Sequence, residues 1–120
     1  MSARIFCIIA VMFLASVQSS WAEEFQAIDT RSAFVELIDG RALTRFGIQL
    51  NVLQTGEIGG RAFGRDVTGD WSWSDGYFCR DLFFGARDLG PNCQLVRVYG
   101  GTLRFISDRG EGAYADFGLD

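Results

Sequence analysis

Gly69-Asp70-Trp71-Ser72-Trp73-Ser74-Asp75-Gly76-Tyr77-Phe78-Cys79-Arg80-Asp81-Leu82 is the stretch whose reading decides the fold. Trp71 and Trp73 alternate with Asp70, Ser72 and Ser74, so an extended segment here has one apolar and one polar face. Ser74-Asp75-Gly76 then turns the chain, because Asp-Gly tolerates the positive φ angles of a tight primed hairpin turn. Residues 77–84 return as the second strand.

The same period of two continues on both sides of this hairpin, with turn signals at roughly 8–12-residue spacing. Strands are expected over 41–45, 47–54, 58–64, 67–74, 77–84, 93–99, 102–107 and 113–119. Thr55-Gly56, Gly100-Gly101 and residues 108–112 supply turns, and 85–92, which holds Pro91, reads as a looser loop. Upstream, Asp29 or Thr30 can cap a helix whose apolar positions are Phe34, Leu37 and Ile38 and whose stop is Gly40. One short helix over 30–38 is predicted. Consecutive hairpins imply a meander, and closure is the best way for a small meander to remove its exposed edges. The expectation is an all-β fold with one short N-terminal helix, built as a small antiparallel up-and-down barrel of about seven or eight strands. A two-sheet sandwich is the alternative.

Residues 1–22 have the three parts of a cleavable signal peptide: Arg4, an apolar run over 5–17, and small residues before a cut after Ala22. That run is short for the roughly 20 residues a membrane span needs. The expected product is a single domain over 23–120, periplasmic or secreted, with no membrane insertion after cleavage. It keeps two of the three cysteines, Cys79 and Cys93, which in an oxidising compartment read as a disulfide. If the two face each other across a hairpin, Asp81 faces Pro91 and Phe83 faces Leu89.

Chemistry is sparse. The chain has no histidine, its eleven basic residues are all arginine, and its formal net charge is −4. A general base poised near neutrality and a Schiff-base lysine are both absent, and the expectation is no cofactor and no metal site. The acidic balance argues against nucleic acid or an anionic lipid surface as partner. Carboxylate catalysis would have to use Asp70, Asp75, Asp81 or Asp108, although Asp75 and Asp108 suit turns for backbone reasons.

The Trp-Ser-Trp hairpin, Gly90-Pro91-Asn92-Cys93-Gln94 and Arg104-Phe105-Ile106-Ser107-Asp108-Arg109-Gly110 together resemble a family of short exported bacterial β-barrel proteins. The resemblance covers nearly all of 23–120, and its cysteine-bearing segments are the most specific part. Members of that family often carry the label dihydrodipicolinate reductase. Such an enzyme seats a dinucleotide on a glycine-rich turn between a strand and a helix. The nearest match here, Gly56-Glu57-Ile58-Gly59-Gly60-Arg61, has neither that spacing nor a following helix pattern, so this activity is not expected.

A binding role is the leading expectation. Trp71, Trp73 and Tyr77, with Phe78, Phe83 and Phe84, either line a pocket or fill the core. Arg80, Arg97 and Arg104 lie on strands, where each must face water, pair with an acid such as Asp81 or Asp108, or hold an anion. The partner would be a small apolar or anionic ligand, or an envelope protein, the latter through residues 85–92 in an inhibitor or accessory role.

Overall fold

The computed structural model describes residues 24–120, so the expected leader lies outside the described residues. Along the chain come β1 (Gln26–Ala27), α1 (Arg31–Ile38), β2 (Leu43–Arg45), β3 (Ile48–Val52), β4 (Glu57–Ala62) and β5 (Arg65–Ser74). They are followed by β6 (Tyr77–Phe84), β7 (Arg87–Tyr99), β8 (Thr102–Ile106) and β9 (Tyr114–Leu119). Strands β2 to β9 pair antiparallel with their sequence neighbours, and Leu43 on β2 pairs with Leu119 on β9. This closes an eight-stranded meander barrel, to which β1 adds a short pairing along β7.

Local chemistry explains the elements. The Thr30 hydroxyl accepts the Ala33 N–H at 3.2 Å and caps α1, which ends before Gly40 at φ +67°. Asp75 and Gly76 hold φ of 52° and 84°, the left-handed pair that the hairpin reading requires. Cys79 stands opposite Cys93 and Asp81 opposite Pro91, as the expected register has it, and the two sulfurs lie 2.10 Å apart in a disulfide. Inward-facing Gly69 is obligatory, because a Cβ there would sit 2.1 Å from the Asp81 carbonyl oxygen. Such close approach lets β5 and β6 coil sharply enough for a small barrel.

Three local expectations are corrected. Residues 85–92 are not a loop: β7 begins at Arg87, leaving only Gly85 and Ala86 as the turn. Pairing with β6 outweighs the weak strand tendency of Gly90 and Pro91, and a β-bulge absorbs the misfit. Leu82 faces Gly90 but Phe83 faces Asp88, so Leu89 is squeezed out and the expected Phe83–Leu89 pairing does not form. The predicted strand over 58–64 also stops early, since Phe63 and Gly64 form the β4–β5 turn with φ of 50° and 80°.

Antiparallel alternation sends the turns at 46–47, 63–64, 85–86 and 107–113 to one end of the barrel. Those at 53–56, 75–76 and 100–101 lie at the other end, which α1 closes. Phe34, fully buried on α1, is the stopper: its ring centroid lies 5.2 Å from Trp71, 5.2 Å from Trp73 and 5.1 Å from Phe78. Ile38 follows one turn later on the same face.

Candidate functional site

Period-two alternation decides what faces the barrel interior. Leu50 and Val52 on β3, Ile58 on β4, Phe78, Arg80 and Leu82 on β6, Gln94 on β7 and Phe105 on β8 share that side. At and below the level of Phe78 the rings of Phe34, Trp71, Trp73 and Phe105 pack together with aliphatic side chains. Above it a cavity of about 300 Å³ remains, apolar over most of its wall and reaching the open end beside Ser107, Ala113 and Tyr114.

Arg80 is the charged residue set in that wall. Its register partners are Trp71 on β5 and Asn92 on β7, and one guanidinium N–H donates to the Gly90 carbonyl at 2.7 Å. The bulge at Leu89 puts Gly90 in the left-handed region, φ +77°, where this contact is made. Among the described residues no carboxylate pairs with Arg80. Burial pushes its pKa down and Asp81, on the opposite face of the strand, pulls it partly back. A guanidinium nevertheless remains protonated in a protein, so the cavity holds a fixed positive charge. Buried Gln94 lies nearby on the same wall and donates to the Ser107 hydroxyl at 3.2 Å.

The rim repeats the sign of this charge. Arg45 ends β2 in register with inward Leu43, Arg65 opens β5 opposite inward Ala62, and Arg87 opens β7 opposite Phe84. Arg45 stacks over Phe117 at 5.6 Å and Arg65 over Phe84 at 5.6 Å, which keeps both beside the mouth. None of the three forms an ion pair among the described residues. Sequence reasoning missed them, together with Gln94 and Ser107. The signal was present: Arg45 and Arg65 lie two residues from the inward apolar positions Leu43 and Val67 on the same strands.

The remaining expected ligand contacts are dispersed. Trp71 and Trp73 face inward, but α1 covers them, and their indole N–H groups donate to the Leu53 and Asp29 carbonyls at 2.8 and 3.2 Å. Tyr77 faces outward under Arg109, and Arg97 is exposed on the outer wall. Arg104 is also outside and pairs with Asp116 through two hydrogen bonds of 2.8 and 3.0 Å, not with Asp108 as the sequence suggested. Its guanidinium is sandwiched between Phe25 and Tyr114 at 4.1 and 4.0 Å, pinning the entry strand to the barrel. The cross-strand register set by β9 decides this partner, whereas Asp108 is engaged by Asn92.

The hydrogen bonds from Arg104 hold the Asp116 carboxyl below its usual range, with partial burial opposing them. A depressed carboxyl contributes stability above its unfolded value of about 3.9, and that stability is lost as pH falls through the folded value. Asp116→Asn is therefore expected to lower stability at neutral pH by under about 1 kcal/mol, because the pair is partly exposed. Melting curves of both proteins across acid pH check this: the gap should close once the wild-type carboxyl is protonated.

Of the candidate catalytic acids, only Asp70 and Asp81 come together, directly opposite on β5 and β6. Both lie on the outer wall, and no described cavity takes either of them as lining. Asp75 occupies the turn at the closed end and Asp108 the turn after β8. The glycine-rich segment from Gly56 runs into β4 with no helix after it. Among the described residues no helix is long and apolar enough to cross a membrane, and no cluster of potential metal ligands is found. No family model, no curated protein and no solved structure matches this chain.

Proposed function

We propose that the barrel binds a small apolar molecule bearing a carboxylate or comparable anionic head, held inside the cavity with its charge at Arg80. The carrying observation is a protonated guanidinium in an apolar cavity wall without an acidic partner. Half-burying a cation whose observed partner is a single carbonyl is costly, and a ligand anion placed there supplies the missing counter-charge through charge-assisted hydrogen bonds. Gln94 and Ser107 add neutral polar contacts, while the wall from Leu50 to Phe117 takes the hydrocarbon body. Arg45, Arg65 and Arg87 at the mouth raise the local concentration of an approaching anion. At about 300 Å³ the cavity sits at the small end of known ligand pockets, which favours a short-chain or single-ring acid.

Calorimetry with octanoate and octanol tests the reading, because the two probes share a tail and differ in charge. Octanoate should bind the tighter. Arg80→Met should weaken it about tenfold or more, in line with the loss of a hydrogen bond to a charged group, and leave octanol little changed. Equal binding of the two probes, or an unaltered octanoate affinity in the variant, would rule the reading out.

We also propose an exported location, supported by the leader pattern and by the Cys79–Cys93 bond in a compartment that preserves disulfides. The intact mass of protein recovered from the periplasm checks it. A start at Glu23 with two hydrogens missing is the expected result, and an intact leader with free thiols is the contrary one.

A further inference from the structure

The open end of the barrel carries a feature that ligand binding does not use. Phe46 and Phe63 cap the β2–β3 and β4–β5 hairpins, 94% and 65% exposed. The tips are adjacent: the Phe63 N–H donates to the Gly47 carbonyl at 2.8 Å, and the Phe63 ring lies over the face of Gly47 where a Cβ would otherwise stand. Phe63 holds φ +50°, a left-handed conformation that disfavours a bulky aromatic residue and suits Asn or Gly. Its ring gains little burial in return. A strained, exposed aromatic side chain beside a second one is a functional signal rather than a packing solution.

Charge tells which partner fits. The α1 end is acidic, with Asp29, Glu36, Asp39, Glu57, Asp75 and Asp120 against Arg31 and Arg41. Around the aromatic tips lie Arg45, Arg61, Arg65 and Arg87. The acids at that end are Asp66, which pairs with Arg61 at 2.8 Å, Asp88, which accepts the Gly90 N–H, and Asp108 and Glu111 on the turn that also carries Arg109, so five arginines stand against four carboxylates. The open end thus carries a small positive excess, Arg45, Arg65 and Arg87 standing nearest the aromatic tips, while the acidic excess behind the whole-chain charge of −4 lies toward the α1 end.

From this we infer that the barrel docks by its open end on an anionic lipid surface, with Phe46 and Phe63 entering the headgroup boundary and the surrounding arginines on the lipid phosphates. The contact is peripheral and places the cavity mouth at the membrane. It goes beyond the ligand reading and does not depend on it, since the tip residues do not line the cavity. Interfacial binding of this kind adds apolar insertion to electrostatic attraction, so both parts should be separable.

Cosedimentation of the purified protein with vesicles of equal phosphatidylcholine and phosphatidylglycerol is the test. Binding is expected at low ionic strength, about tenfold weaker in high salt or on phosphatidylcholine alone. The double variant Phe46→Ser, Phe63→Asn should bind at least tenfold less, because it removes the inserted rings. Asn relieves the left-handed position, so this variant should fold at least as well as the parent and keep its octanoate affinity. Absence of sedimentation with the anionic vesicles, or a double variant that sediments like wild type, would overturn the inference. So would concentration-dependent self-association that the double variant abolishes without any vesicle binding, since a second copy would then be the occupant.

Discussion

Phe34→Ala is expected to lower stability by about 3–5 kcal/mol, the range for truncating a fully buried phenylalanine. The ring is shared by Trp71, Trp73, Phe78 and Phe105, so its removal leaves a void between the helix and the barrel floor that no neighbour can fill without leaving its own rotamer. For a domain whose total stability is about 5–15 kcal/mol, that loss is a large fraction. The melting temperature should fall by about 12–40 °C, at about 4–8 °C per kcal/mol. Circular dichroism in the near ultraviolet, which reports the packing of the tryptophans, is the measurement. A drop of only a few degrees would mean that α1 is not the element closing the barrel. The loss should exceed that from Leu89→Ala, which changes a bulged and exposed side chain.

Replacing the disulfide with serines, Cys79→Ser with Cys93→Ser, is the second large effect. The bond joins directly opposed residues of β6 and β7, 14 apart in sequence. The chain-entropy model assigns such a loop about 3 kcal/mol, through restriction of the unfolded chain. Urea unfolding should show the midpoint falling by roughly 1–3 M, given a slope of about 1–3 kcal/mol per M for a small domain. The same strands carry Arg80 and the bulged Gly90 that accepts from it. A midpoint shift without loss of octanoate affinity is expected, because register pairing across β6 and β7 persists without the bond. If affinity fell together with stability, the disulfide would be a positioning device for Arg80 as well as a staple.

Much of the site was legible in parity. Arg80 alternates with Phe78 and Leu82 and so shares their side, while Arg97 lies between Val96 and Val98 and Arg104 between Leu103 and Phe105, which turns both outward. Taking the three arginines as one group ignored this period. The tryptophans are a different case. Trp71 and Trp73 do face inward, yet nothing local to their strand says that Phe34, from a helix more than thirty residues earlier, occupies the space in front of them. The bulge at Leu89 was equally hidden: Gly90 and Pro91 read as a loop on propensity, and only pairing with β6 makes them strand.

By itself the sequence determined the hairpins, the helix, the register of Cys79 on Cys93 and the all-β class, because period-two alternation, an N-cap threonine and Asp-Gly turns act over a few residues. Barrel closure by Leu43 on Leu119, the stopper helix and the convergence of Arg45, Arg65 and Arg87 from three separate hairpins around one mouth were decided by tertiary structure alone. So was the gathering of most of the acidic excess at the closed end. Net charge is a sum over the chain and carries no direction, whereas a closed barrel gives every turn an end and every strand residue a side.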